Sequence, residues 1–292
     1  MVKISASSLV SAAEYARKYD LHALLVLQGG QTLLEEYGGA YDAHKPHALY
    51  SGTKSFWGVA AAAAVDDGLL DFDEPVSETV PAWRADSRKA LVTIRQLLSL
   101  TAGVPFGGLG AGVPRFEDAL AKPLTSDPGT VFTYGGIPLQ IFGAVLSAKL
   151  AARKQAPHEY LKTRIFEPIG LETGSWRTLK DGTQTMPTGA FLTASNWAKF
   201  GMFACARGGW KGKQLISRSN FDECWKPSHI NARYGLGFWL DPLVGKGPFV
   251  AYASGSGKQA LYIVPDLQTV VVHFSQTNNY QHERFLQRLT GA

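Results

Sequence analysis

The sequence contains few cysteines and no long apolar run, and each shortage excludes a class of protein. Its two cysteines, Cys205 and Cys224, are too few for a disulfide framework and lack the C-x-x-C spacing of zinc or redox sites. The longest apolar run, at residues 57–65, is far shorter than the roughly 20 residues that span a bilayer. Disulfide-rich scaffolds, zinc ribbons and proteins with a membrane span are therefore excluded.

Charge is also scarce, at 18% of the residues, and lysine and arginine never form a run of five despite a net charge of +5. Without a basic stripe we expect no nucleic-acid partner. The first twenty residues mix polar and charged side chains and lack the apolar stretch of a secretory signal. We expect a soluble protein with no export signal in this chain, periplasmic if a leader was removed and otherwise cytoplasmic. Composition leaves the oligomeric state open.

Both ends of the chain carry the pattern of an antiparallel sheet, and 45% of its 292 residues are hydrophobic, enough for a large core. Helical spacing at residues 8–18 is followed by apolar runs at 22–27 and 32–37, which Gly29-Gly30 separates as in a hairpin. Near the other end the same reasoning predicts three strands and a last helix, at 249–253, 261–264, 269–274 and about 279–289.

The middle of the chain is mostly helical in pattern. Apolar residues at three-to-four spacing predict helices at 51–67, 94–100, 136–150 and 159–165, and glycine-rich segments such as 107–112 separate them. The predicted fold class is α/β (α+β), with an antiparallel sheet flanked by N- and C-terminal helices and a helical subdomain. We expect residues 1–70 and 185–292 to form the sheet domain and residues 71–184 the mostly helical subdomain.

The tetrapeptide S-G-T-K at residues 51–54 opens the first of these central helices. One helical turn separates Ser51 from Lys54, so both side chains lie on one face. A serine hydroxyl becomes a nucleophile when a base takes its proton, and a buried lysine amine with a lowered pKa can be that base. The alternative is that Ser51 only caps the helix while Lys54 points into water. About one such tetrapeptide is expected by chance in a chain this long, so further signals are needed.

Further signals are present in order along the chain, and together they resemble the serine β-lactamase and penicillin-binding protein superfamily. The branch that they resemble most is that of class C β-lactamases and family VIII carboxylesterases. The matching strings are TIRQLLSLTAG at 93–103, PGTVFTY at 128–134, FEPIGL at 166–171, TGAFLTA at 188–194 and ASGSGKQ at 253–259. The resemblance extends from about residue 24 to the C-terminus.

The resemblance implies a catalytic role for three side chains. Ser51 would attack an acyl carbon, while Lys54 and Tyr134 would take its proton and deliver one to the leaving group. Which of the two is the general base is left open. The backbone N–H groups of Ser51 and Ser256 would form the oxyanion hole, which stabilises the charge that develops during attack.

The same resemblance implies a substrate-binding surface at Gly136, Ala253, Ser254 and Gly255, and there the chain departs from the family pattern. Tyr-x-Asn becomes Tyr134-Gly135-Gly136, which removes an amide. The Lys-Thr-Gly or His-x-Gly of many relatives becomes Ala253-Ser254-Gly255, which removes a cation for the β-lactam carboxylate; Lys258 is a possible substitute. A carboxylate without a partner is expensive to desolvate, so these losses favour uncharged substrates.

The predicted function is therefore a serine hydrolase that acts on small esters or amides through an acyl-enzyme on Ser51. A β-lactamase or D-alanyl-D-alanine peptidase is one alternative, and a penicillin-binding module with slow or no turnover is another. The partner is a small-molecule ester, amide or lactam, and no cofactor or metal is implied. The chain has no H-E-x-x-H and no G-x-S-x-G, and the glycines near Lys258 do not complete a phosphate loop. His273, within a predicted strand, is interpreted as structural.

Overall fold

A mixed sheet-and-helix architecture is present in the computed structural model, which describes residues 3–292. The strands are β1 (Leu21–Gln28), β2 (Gln31–Tyr37), β3 (His47–Ala48), β4 (Ser175–Trp176), β5 (Ala190–Leu192), β6 (Gly209–Trp210), β7 (Lys213–Gln214), β8 (Trp239–Leu240), β9 (Ala251–Gly255), β10 (Gln259–Val264) and β11 (Thr269–Ser275). The α-helices are α1 (Ala6–Arg17), α2 (Lys54–Asp66), α3 (Val76–Thr79), α4 (Ile94–Leu98), α5 (Phe116–Ala121), α6 (Ile137–Leu150), α7 (Pro157–Leu161), α8 (Ala194–Cys205), α9 (Arg218–Glu223) and α10 (His282–Thr290).

The main antiparallel sheet has the strand order β2-β1-β11-β10-β9-β8, so β1 from the start of the chain pairs with β11 from its end. Alternate residues of each strand face opposite sides of the sheet. Leu25 and Val272, which pair across β1 and β11, face one hydrophobic core, whereas Leu24 and Val271 face the other. Both sides are apolar because helices cover both.

Two helical layers enclose the sheet. Helices α1 and α10 pack against each other on one side, where Phe285 and Leu286 are fully buried. Helix α8 lies on the other side, against β1, β10 and β11. Helix α2 is buried on that side for most of its length, since its alanine run, residues 60–64, leaves room for neighbouring elements to approach closely. The first residue of α2 is Lys54, which is thereby placed in the protein interior.

The predicted fold class is confirmed, and the structure adjusts several boundaries. The helix predicted from Ser51 starts as a 3-10 turn, Tyr50–Thr53, and becomes α-helical only at Lys54. The helix predicted at 159–165 is α7 followed by a π-helical turn, Lys162–Phe166. A small sheet of order β3-β5-β4 was not predicted, because strands of two or three residues carry no detectable periodicity.

Between residues 71 and 184 the structure has helices α3 to α7 and the short strand β4. One hydrophobic core runs from these helices into α2, α8 and the sheet without interruption. The division into two domains therefore stays a prediction. Within residues 3–292, no helix combines the length and the apolar character that crossing a membrane requires.

Candidate active site

Ser51 lies on a sharp turn between the short strand β3 and helix α2. The preceding residue, Tyr50, has a φ of 47°, in the left-handed region that bulky residues rarely adopt. Such strained residues cluster at functional sites, where the surrounding structure holds them in place. The hydroxyl of Ser51 does not cap the helix; it accepts a hydrogen bond from Lys54 Nζ at 2.9 Å. The capping alternative is therefore wrong.

Lys54 is a buried lysine whose amine donates hydrogen bonds to two defined acceptors. Its side chain is 1% exposed, and Nζ donates to Ser51 Oγ and, at 3.3 Å, to the carbonyl of Pro187. That carbonyl belongs to a fixed segment, since Trp57 Nε1 donates to the neighbouring carbonyl of Met186 at 2.6 Å. Among the described residues no carboxylate forms an ion pair with Lys54, and burial lowers its pKa to about 7. A large fraction of the amine is thus neutral near pH 7.

Tyr134 completes a compact group around Ser51. The ring of Tyr134 lies 4.9 Å from Lys54 Nζ and stacks on Trp239 with 5.5 Å between ring centroids. Burial raises the pKa of Tyr134. Hydrogen bonds with the side chains of Ser51 and Trp239 lower this pKa, but they offset only part of the effect of burial. Tyr134 therefore holds its proton in the pH range where Lys54 starts to lose its own.

Strand β9 brings the segment Ala253-Ser254-Gly255 against the turn that carries Ser51. A Cβ on Gly255 would lie 2.1 Å from the carbonyl oxygen of Leu49, so only glycine allows this close approach of the two backbones. The next residue, Ser256, is exposed beside Ser51 and lines the same cleft. Ser51 and Ser256, whose N–H groups are the predicted oxyanion-hole donors, therefore line the same cleft.

Two depressions meet at Ser51 and Ser256. The first, of about 390 Å³, has a mostly aromatic and hydroxyl lining: Ser51, Tyr134, Trp239, Tyr252, Ser254, Gly255, Ser256 and His282. The second, of about 440 Å³, lies on the other side and is lined by Ala48, Tyr50, Ser51, Leu109, Gly110, Arg177, Thr188, Gly189, Ala190, Phe191 and Ser256. A substrate whose scissile carbonyl lies at Ser51 has room for one group on each side.

Two residues of the predicted substrate-binding set do not line this cleft. Gly136 is buried beneath the glycine-rich loop: its N–H donates to the carbonyl of Gly107 at 2.8 Å, and a Cβ there would lie 1.8 Å from Gly108 O. Ala253 is 1% exposed and points into the hydrophobic core. The other two residues, Ser254 and Gly255, do line the cleft.

Sequence patterns did not single out several lining residues, among them Trp239, Tyr252, Arg177 and His282. His282 begins helix α10 and reaches the cleft from the C-terminal layer, so no local motif connects it with Ser51. His273, interpreted as structural, is fully buried, donates from Nδ1 to the carbonyl of Lys258 at 3.0 Å, and stacks on Tyr280. Within residues 3–292, no group of three or more His, Cys, Asp or Glu side chains could hold a metal ion.

An antiparallel sheet between helical layers, with a Ser-x-x-Lys turn at its edge and a helical segment beside it, defines the β-lactamase and transpeptidase-like class of fold. The sequence profile described as Beta-lactamase matches residues 17–290. The chain belongs to this family.

The relatives are distant in sequence and close in fold. Protein flp of Staphylococcus aureus is 22% identical over 174 residues, which cover 53% of this chain but only 34% of that protein. This chain therefore matches about a third of the length of that relative. EstCE1, a hydrolase with promiscuous acyltransferase activity, aligns with a TM-score of 0.78 at 14% identity over 97% of both chains. A family VIII carboxylesterase aligns with a TM-score of 0.76 at 15% identity, over 99% of this chain and 98% of its own.

Proposed function

We propose that this protein is a serine hydrolase that cleaves small esters or amides through an acyl-enzyme on Ser51. The observation that carries the proposal is the hydrogen bond of 2.9 Å between Ser51 Oγ and the buried amine of Lys54. Membership of the β-lactamase family supports hydrolase chemistry on a small molecule. The structural similarity to EstCE1 and to a carboxylesterase supports ester substrates in particular.

The reaction starts with transfer of the Ser51 proton to the neutral amine of Lys54 as Oγ forms a bond to the substrate's acyl carbon. The oxygen of the former carbonyl gains the negative charge, which the N–H groups of Ser51 and Ser256 stabilise. Collapse of this intermediate breaks the bond to the leaving group, which receives a proton by way of Tyr134. Water then attacks the ester of Ser51 in the same manner and releases the acid. Lys54 is favoured as the base over Tyr134, because burial lowers the pKa of the first and raises that of the second.

The first depression favours an uncharged substrate over a β-lactam. The lining of the first depression contains no lysine or arginine, and Ala253 occupies the strand position where relatives have a cation. The packing of Gly136 against Gly108 leaves no space for the asparagine of the Tyr-x-Asn motif. A β-lactam carboxylate would therefore be desolvated without a matching charge in this depression.

We expect kcat/KM for p-nitrophenyl acetate and butyrate to exceed that for nitrocefin by about tenfold or more, the cost of burying a carboxylate without a partner. In parallel, intact-mass spectrometry after mixing with p-nitrophenyl butyrate should detect one butyryl adduct, and peptide mapping should locate it on Ser51. Faster processing of nitrocefin than of both esters would contradict the substrate class. A long-lived β-lactam adduct without ester turnover would favour the penicillin-binding alternative.

The pH dependence of the reaction follows from Lys54. Because the pKa of this buried amine is lowered to about 7, the base form is present above this pH and is lost below it. We expect kcat/KM for p-nitrophenyl acetate to fall as the pH is lowered through about 7. In the variant Tyr134→Phe the rate should be lower at every pH, but the same acid limb should remain. Disappearance of this limb in Tyr134→Phe would identify Tyr134 as the titrating base instead.

A further inference from the structure

A chain of hydrogen-bonding groups leads from one end of the cleft into the core between the sheet and α10. Ser254, on β9, has its Oγ at 3.5 Å from Nε2 of His282, the first residue of α10. The other ring nitrogen, Nδ1, lies 2.6 Å from the hydroxyl of Tyr262, which donates to the hydroxyl of Tyr280 at 3.2 Å. Both tyrosines are fully buried, so this end of the chain has no access to water.

The direction of the protons follows from the buried end. In the arrangement in which Tyr262 donates its one hydroxyl proton to Tyr280, the short contact with His282 is a hydrogen bond that Nδ1 donates. In a neutral ring, Nε2 then has only a lone pair. The hydroxyl of Ser254 is the donor within reach of that lone pair. With its proton turned toward His282, Ser254 presents only oxygen lone pairs to the cleft.

The imidazole is neutral because of its surroundings. Burial is the main cause that lowers the pKa of His282 to about 3. The positive charge of Lys258 and, to a smaller extent, His273 act in the same direction. His273 is itself fully buried, with a pKa lowered to about 4 by burial, and it is neutral as well. Lys258 is not one of the residues that line the cleft. No charge on this wall of the depression therefore offers a partner to an anion.

We propose that the Ser254 end of the cleft binds a hydrogen-bond donor of the substrate, such as an amide N–H, with His282 as the positioning residue. This inference rests on the proposed function of Ser51 and adds the polarity of the substrate to it. An acceptor at Ser254 has the opposite hydrogen-bonding polarity to the lysine or histidine that many relatives have at the position of Ala253. Because Tyr134, which delivers the proton to the leaving group, lines the same depression, the donor belongs to the leaving group.

Three acetate esters of meta-substituted phenols test this polarity. The substituents are a carboxamide, which has N–H donors, an N,N-dimethylcarboxamide, which has none, and a carboxylate, which is an anion. For the wild type we expect kcat/KM to be about three- to tenfold higher for the carboxamide than for its dimethyl analogue, the contribution of one neutral hydrogen bond. The carboxylate should be the poorest of the three. A preference for the carboxylate that disappears in Lys258→Ala would overturn the inference in favour of an anion site.

Two variants separate positioning from structure. Ser254→Ala removes the acceptor, so the ratio between carboxamide and dimethylcarboxamide should fall to about one. His282→Phe keeps a ring against Tyr252 and Tyr262 but removes both nitrogens, so the Ser254 proton becomes free to point into the cleft. The carboxylate ester should then improve relative to the carboxamide. A merely structural role of His282 would lower all three rates together and leave their ratios unchanged.

The same polarity can be measured without turnover. In the Ser51→Ala variant, binding of 3-hydroxybenzamide and 3-hydroxybenzoate can be followed by tryptophan fluorescence, since Trp239 lines the depression. Tighter binding of the amide supports the inference, and equal or tighter binding of the benzoate overturns it. Failure of the proposed function would instead appear as ester hydrolysis that is absent or that survives Ser51→Ala, so the two failures are distinguishable.

Discussion

Replacing Ser51 with alanine is expected to lower kcat/KM for p-nitrophenyl acetate by about a thousandfold or more, as for other serine nucleophiles. In the proposed mechanism the hydroxyl oxygen forms the acyl bond, and the neighbouring Lys54 and Tyr134 cannot replace it at the same position. The substitution removes one oxygen from an irregular turn, so we expect the free energy of unfolding to change by only about 1 kcal/mol or less. Steady-state kinetics measure kcat/KM, and urea unfolding of the same preparations measures the free energy of unfolding.

A matched control for this prediction is Ser219→Ala, which removes the hydroxyl of an exposed serine on α9. Its kinetics and its unfolding midpoint should equal those of the wild type. Ester hydrolysis that persists in Ser51→Ala at the level of Ser219→Ala would show that the activity does not depend on this serine. The hydrogen bond from Lys54 to Ser51 would then have a structural function only.

Replacing Lys54 with methionine should also lower kcat/KM for the ester by about a thousandfold, because it removes the proposed base while it keeps the length of the side chain. The substitution should not lower the stability of the protein. A methionine needs no hydrogen bonds in the interior, whereas the amine is buried and, among residues 3–292, has only Ser51 and Pro187 as hydrogen-bond partners. We therefore expect the free energy of unfolding to stay the same or to rise by about 1 kcal/mol.

The pH dependence of stability gives a second measurement on the same variant. The amine has a pKa of about 7 in the folded protein, against 10.5 when free, so the unfolded chain binds more protons between these values. Wild-type stability should therefore rise with pH over this interval, and the advantage of Lys54→Met should be largest below pH 7. The exposed control Lys213→Met should show neither the loss of activity nor the change in slope. A Lys54→Met variant with full activity would exclude Lys54 as the base.

Local sequence spacing predicted the turn that brings Ser51 and Lys54 together because only two residues separate them. Ser51 and Lys54 stay on one face in a 3-10 turn as well as in an α-helix, so the error in helix type left their contact unchanged. Tyr134 depended on a resemblance, since no local rule connects it with Ser51. The catalytic roles of all three stay predictions until the variants are measured.

The substrate-binding wall was predicted less well, and the reason lies in packing between distant segments. Gly136 and Ala253 were included because of their positions in family motifs, yet both are buried. The glycine-rich loop lies directly on Gly136, and strand alternation turns Ala253 away from its neighbour Ser254. Neither effect can be derived from a motif, because each depends on which other segment packs against it.

The sequence by itself determined the fold class, five of the six strands of the main sheet, and the pairing of Ser51 with Lys54. Periodicity and short spacing are local properties, so they can be derived from neighbouring residues. Only the tertiary structure decided that Lys54 is buried with no carboxylate partner in the described part of the chain, that Tyr134 stacks on Trp239, and that His282 faces Ser254. These contacts join residues that are far apart in the chain, so they depend on how distant segments pack against each other. The charge state and polarity of the cleft follow from that packing.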